Sequence, residues 1–96
     1  MVGVVYIMDN NQILKLENLF NSLLNREVKL AFAGCLEGSC YIFSFSYSIT
    51  LDLLTIDDLT NENYFKFNLN QVYNIDFEDA KVVFYLDYDV IITIFY

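Results

Sequence analysis

The chain has 96 residues, 56% of them hydrophobic and 18% aromatic, and a net charge of −8 from 13 acids and 5 bases. That apolar content excludes intrinsic disorder, and the length suits one domain with a single modest core. The acidity disfavours direct contact with nucleic acid or an anionic membrane surface, and the absence of histidine excludes Ser-His-Asp, Cys-His and His-ligated metal chemistry.

Residues 2–8 form a continuous apolar, β-branched run that reads as a strand buried on both faces. No basic leader precedes it, and no apolar run approaches the ~18 residues of a membrane span, so cytoplasmic residence is expected. Asp9 and Gln12 have capping-box spacing, and Ile13, Leu16, Leu19, Phe20, Leu23 and Leu24 recur at three- and four-residue steps. The pattern predicts an amphipathic helix over about residues 10–25, packed on a sheet.

Residues 27–32 alternate, with Val28, Leu30 and Phe32 inward. Gly34 and Gly38 mark a turn. Cys35 and Cys40 are five positions apart, neither the redox nor the zinc-knuckle spacing, and two reduced thiols are expected. From Cys40 onward, Tyr41, Phe43, Phe45 and Tyr47 alternate with Ser44, Ser46 and Ser48, which predicts one continuous strand with its aromatic face buried. Thr55 and Asp58 repeat the capping-box spacing, so a two-turn helix is expected around residues 56–62 with Asp57 and Asp58 in its first turn.

Phe65, Phe67 and Leu69, then Tyr73, Ile75 and Phe77, read as the inward faces of two strands forming a hairpin about Asn70-Gln71. Val82, Phe84 and Leu86 are the inward face of the next strand. Residues 90–96 are apolar at nearly every position, as in a central strand or one covered on both sides. A hairpin at Tyr88-Asp89 is expected between them, although the Asn-Gly or Asp-Gly of a tight turn is missing. The expected fold is therefore α+β: a single domain whose mainly antiparallel sheet of five to seven strands carries one helix, with a second short helix near residues 56–62.

Candidate chemistry is sparse. Asp76 with Glu78 and Asp87 with Asp89 have the two-residue spacing that a hard cation such as Mg²⁺ could use, but the pleat of a half-exposed strand produces the same spacing unaided. Asp79-Ala-Lys81 matches the tail of a nuclease pattern over three residues only, and the three glycines form no phosphate-cradling loop. No catalytic, cofactor or metal residue is assigned, and the chain reads as a non-enzyme.

Charge distribution is more informative. Residues 1–51 hold four acids against three bases, whereas residues 52–96 hold nine acids against two. Seven of the eight net negatives thus belong to the second half. The expected contact residues are Asp57, Asp58, Glu62, Tyr64, Asp76, Glu78, Tyr85, Asp87, Tyr88 and Asp89, acids to steer a basic partner and tyrosines to supply desolvated contact area. The expected function is a small acidic inhibitor, of the immunity-protein, antitoxin or phage-inhibitor kind, that occludes the active or nucleic-acid-binding surface of a basic toxin or nuclease-like protein. The alternative is an assembly subunit that forms a homo-oligomer through its apolar C-terminal strand.

Overall fold

A computed structural model gives the fold and describes residues 8–34 and 36–96. The strand expected over residues 2–8 falls, Met8 apart, outside the described residues, as does Cys35. Helix α1 spans Asn10–Leu23; eight strands follow, β1 Val28–Ala33, β2 Gly38–Ile42, β3 Phe45–Thr50, β4 Leu53–Asp58, β5 Asn63–Asn68, β6 Val72–Phe77, β7 Lys81–Leu86 and β8 Val90–Phe95. All described pairings are antiparallel, in a five-stranded sheet ordered β2-β1-β8-β7-β6 and a three-stranded sheet ordered β3-β4-β5. The fold is α+β, as the alternation of the sequence implies.

Helix α1 starts where Asp9 caps it: its carboxylate accepts a hydrogen bond from the Asn11 amide at 2.8 Å, while its carbonyl takes the first helical bond from Ile13. The helix stops two residues before Asn25, which holds φ 64°, a left-handed conformation that asparagine tolerates. Leu16, Phe20 and Leu23 form its buried stripe. Phe20 meets Phe45 and Tyr47 of β3 edge-on, with ring centroids 5.2 and 5.1 Å apart, and the Tyr47 hydroxyl donates to Asn21 at 2.7 Å. Near its start, Lys15 lies 4.5 Å from the ring centroid of Phe77 on β6.

The inner face of the large sheet carries Val28, Leu30, Ile42, Val82, Phe84 and Ile94, all buried. It is covered by α1 on one side and by the small sheet on the other. Strand β5 crosses it: Phe65 packs on Phe32 of β1 and Phe67 on Phe84 of β7, and Phe32 and Phe84 are both cross-strand partners of Ile92 on β8. Two residues of β5 therefore span three strands of the sheet below, so the two layers pack with their strands strongly crossed.

Four expectations are corrected. The strand predicted to run on from Cys40 breaks at Phe43-Ser44, so that Ile42 and Phe45, three residues apart, are both buried in the same core; Tyr41 and Phe43 are exposed instead. The helix expected near residues 56–62 is strand β4 and its turn, because Leu54, Ile56 and Asp58 alternate inward across the small sheet. Strands β5 and β6 do not pair; a single 3-10 turn, Leu69–Gln71, carries the chain from one sheet to the other. Tyr73 points outward, because an extra residue between Val72 and Asn74 shifts the register with β7, and Val72 and Ile75 then share the buried face. Strand β8 is central, paired with both β1 and β7, but Ile91 and Phe95 on its outer face remain partly exposed.

Candidate protein interface

Asp58 is the one buried charged side chain among the described residues, 2% exposed. It lies on the inner face of β4, at the end where β4 turns into β5. Its carboxylate accepts hydrogen bonds from the Ser44 amide at 3.2 Å, the Thr60 amide at 3.0 Å and Asn61 Nδ2 at 3.0 Å. Burial alone would raise its pKa, but bonds from the Asn61 side chain and the Thr60, Ser44 and Phe43 amides prevail and hold the carboxyl below its ordinary value. Asp58 therefore ties the turn after β4 to the corner between β2 and β3, and it presents nothing to a partner. Its charge also reaches Cys40, whose thiol is pushed up by burial and secondarily by Asp58; Cys40 is a free, half-buried cysteine.

The remaining expected contact residues fall into three places rather than one. On the outer face of the small sheet, Asp57 is the cross-strand partner of Tyr64, an exposed tyrosine over whose ring Lys66 lies at 5.1 Å. Glu62 occupies the adjoining turn with φ 59°. On the outer face of the large sheet, Tyr85 and Tyr73 lie with ring centroids 6.3 Å apart beside Asp76. Burial, then hydrogen bonding with Asp76, then the charges of Asp76 and Glu78 raise the pKa of Tyr85, which keeps its hydroxyl neutral as a donor. Glu78 stands 3.9 Å from Lys81 in an exposed pair.

The third place is the turn Asp87–Asp89 at the far end of β7. Leu86 pairs with Val72 and Val82 with Phe77, so Asp87 and Asp89 lie at the opposite end of the β6–β7 hairpin from Glu78, separated by roughly 15 Å of strand. The expected contact residues therefore do not form one continuous acidic face. Here Tyr88 and Asp89 adopt φ 63° and 60°, the paired positive φ of a tight hairpin turn made without glycine, and the Tyr88 side chain is 80% exposed.

Two features escaped the sequence reading. Exposed leucines sit on two turns: Leu36 between β1 and β2, and Leu51 between β3 and β4, the latter 94% exposed with φ 57°. The second is an apolar cavity of about 290 Å³ between β5 and the large sheet, lined by Leu30, Phe32, Phe65, Phe67, Val90 and Ile92, with Lys66 at its border. Leu30, Phe32, Phe65 and Phe67 read as inward-facing from their strand patterns, whereas the sequence pattern of β8 puts Ile91 and Phe95 inward and the structure puts Val90 and Ile92 there instead. The crossing of the two sheets that leaves a gap between them has no local signature.

No protein-family model, no curated protein and no solved structure matches this chain. Among the described residues no three acidic or thiol side chains converge as a metal site would need, and no helix is long and apolar enough to cross a membrane.

Proposed function

We propose that this protein is a small acidic inhibitor that binds a basic partner protein and covers its active or nucleic-acid-binding surface. The observation that carries the reading is the turn Asp87–Asp89, where two acids flank an 80% exposed tyrosine on a rigid hairpin. An aromatic anchor between carboxylates fits a pocket rimmed by Lys or Arg: the acids speed encounter, and the ring supplies the desolvated centre. The net charge of −8 adds a long-range field of the same sign. A covered enzyme or nucleic-acid surface on the partner explains why the chain needs no histidine, nucleotide loop or metal cluster of its own.

Charge reversal tests it. Asp87→Lys with Asp89→Lys should slow association with a basic protein captured from the native host by about tenfold or more at low salt, and leave Tm nearly unchanged, since both side chains lie on an exposed turn. Equal losses of Tm and binding would make those acids structural and sink the reading. Through the C-terminal strand the homo-oligomer alternative keeps one route. Strand β8 is paired on both edges, so it cannot join copies edge to edge, and assembly would have to use the outer face with Ile91 and Phe95.

A further inference from the structure

Among the described residues the two sheets have four edge strands, β2, β6, β3 and β5. Three are ill suited to receive another strand. The bulge at Tyr73 twists β6, which also carries Asp76 outward. The edge of β3 lies under α1, tied by the Tyr47–Asn21 hydrogen bond and the Phe20 rings. Strand β2 begins at Gly38, over which the Phe32 ring lies so closely that a Cβ would come within 2.8 Å of it, and the cavity of about 230 Å³ that adjoins it at Tyr41 is shared with the charged Glu27 and Lys29.

Strand β5 differs. It pairs with β4 in unbroken register over all six residues, from Leu53 opposite Asn68 to Asp58 opposite Asn63, so its other edge, unpaired among the described residues, offers an unbulged row of alternate N–H and C=O groups. The 290 Å³ cavity runs beneath it, and no residue of α1, β3 or β4 lines that space, which places it on the side of β5 away from β4. Its volume is at the lower limit of the roughly 300–1,000 Å³ typical of ligand pockets, enough for one large side chain rather than a cofactor. Lys66 borders the cavity, but its ammonium lies 5.1 Å from the centroid of the Tyr64 ring rather than over the opening. The acidic turn Asp87–Asp89 directly precedes Val90, one of the cavity's lining residues.

We infer that β5 is a strand-addition site: an extended segment of the partner pairs with its free edge, inserts one apolar side chain between Phe65, Phe67 and Ile92, and sets flanking lysines or arginines against Asp87 and Asp89. Backbone pairing supplies affinity and the cavity supplies selectivity. This inference rests on the basic-partner reading only for the flanking charges, and it names the backbone segment that such a partner must offer.

The test uses a fluorescein-labelled peptide KVTFTVK, whose Val, Phe and Val share one face, with anisotropy and hydrogen–deuterium exchange as readouts. Saturable binding is expected, with alternate amides of β5 gaining protection. Methylating the peptide's alternate backbone nitrogens, or replacing its Phe by Ala, should each weaken binding by about tenfold or more, since the first removes several hydrogen bonds and the second a buried ring. Ile92→Phe, which fills the cavity, should do the same; if it lowers Tm steeply, the methylated peptide decides alone. Absence of saturable binding, indifference to methylation, protection on β2 instead, or a stable dimer of the free protein paired through β5 would each overturn the inference. The neutral peptide QVTFTVQ separates it from the function proposed above. If it binds as well as KVTFTVK at all salt concentrations, the strand site stands and the basic-partner reading falls. If neither peptide adds to β5 while charge reversal at Asp87 and Asp89 still slows capture of a basic protein, the strand site falls and that reading stands.

Discussion

At the scale of single residues, Asp58 shows how a buried acid can be worth keeping. Removing a carboxylate from water costs several kcal/mol, and its hydrogen bonds offset that only while all of them are made. Asp58→Ala leaves the Ser44 and Thr60 amides and the Asn61 side chain without their acceptor. The expected loss is about 2–4 kcal/mol, which for a domain of this size lowers Tm by roughly 10–20 °C. Calorimetry at pH 7 checks it. Because the folded pKa is depressed, the unfolded chain takes up a proton first as pH falls. The stabilisation is therefore complete above the ordinary aspartate range and is lost as pH drops through that range and past the folded pKa. The Tm gap between the wild-type protein and Asp58→Asn should narrow from pH 7 towards pH 3; a gap that stays constant would mean that the charge contributes nothing.

Leu51 makes the opposite case. It combines a left-handed backbone, which β-carbon-bearing residues occupy at a cost of about 1 kcal/mol or more, with a side chain that buries almost nothing. Leu51→Asn should raise stability by roughly 0.5–1 kcal/mol, read as a Tm increase of a few degrees. A decrease would show that this leucine has a packing partner in the folded protein.

At the scale of elements, the helix and most strands were legible because each has a local period. Leu16, Phe20 and Leu23 mark one helix face, and Val82, Phe84 and Leu86 one strand face, and the chain obeys both. What failed were the places where the chain changes layer. Phe43 and Phe45 look equivalent in an alternating run, yet the break between them puts one in solvent and the other in the core. Thr55-Ile-Asp-Asp58 imitates a capping box, but the neighbours that decide its conformation are β3 and β5, more than a helical turn away in sequence. Among the candidate contact residues, type was readable and grouping was not: the separation of Asp87 and Asp89 from Glu78 follows from the register of the β6–β7 hairpin. That hairpin also carries a spectroscopic test. Tyr85 titrates above the ordinary tyrosine value, with burial as the main cause and Asp76 next. In Asp76→Asn the Tyr85 transition, followed by ultraviolet absorbance, should move down towards that value without reaching it. No movement would mean that the two side chains do not interact in solution.

At the scale of the whole molecule, self-repulsion is the dominant electrostatic effect. Eight net negatives face one exposed ion pair among the described residues, Glu78–Lys81 at 3.9 Å, which contributes about 1 kcal/mol at most. Raising the ionic strength from about 0.02 to 0.3 M shortens the Debye length severalfold. Tm should therefore increase with added sodium chloride, whereas a protein held by surface ion pairs would lose stability. The same field keeps copies of the chain apart and favours the capture of a cation-rich surface.

The corner at Phe43-Ser44 has a wider consequence. Phe45 is hydrogen-bonded on both sides to the segment after α1, its amide to the Arg26 carbonyl at 3.0 Å and its carbonyl to the Asn25 amide at 2.8 Å, while Ser44 bonds both Asp58 and the Leu59 amide. Two consecutive residues thus join the helix exit to the small sheet just after β2 leaves the large one. Opening either layer breaks bonds at this corner, so the two sheets are expected to unfold together. Proteolytic lifetime should then follow global stability rather than the opening of a single layer.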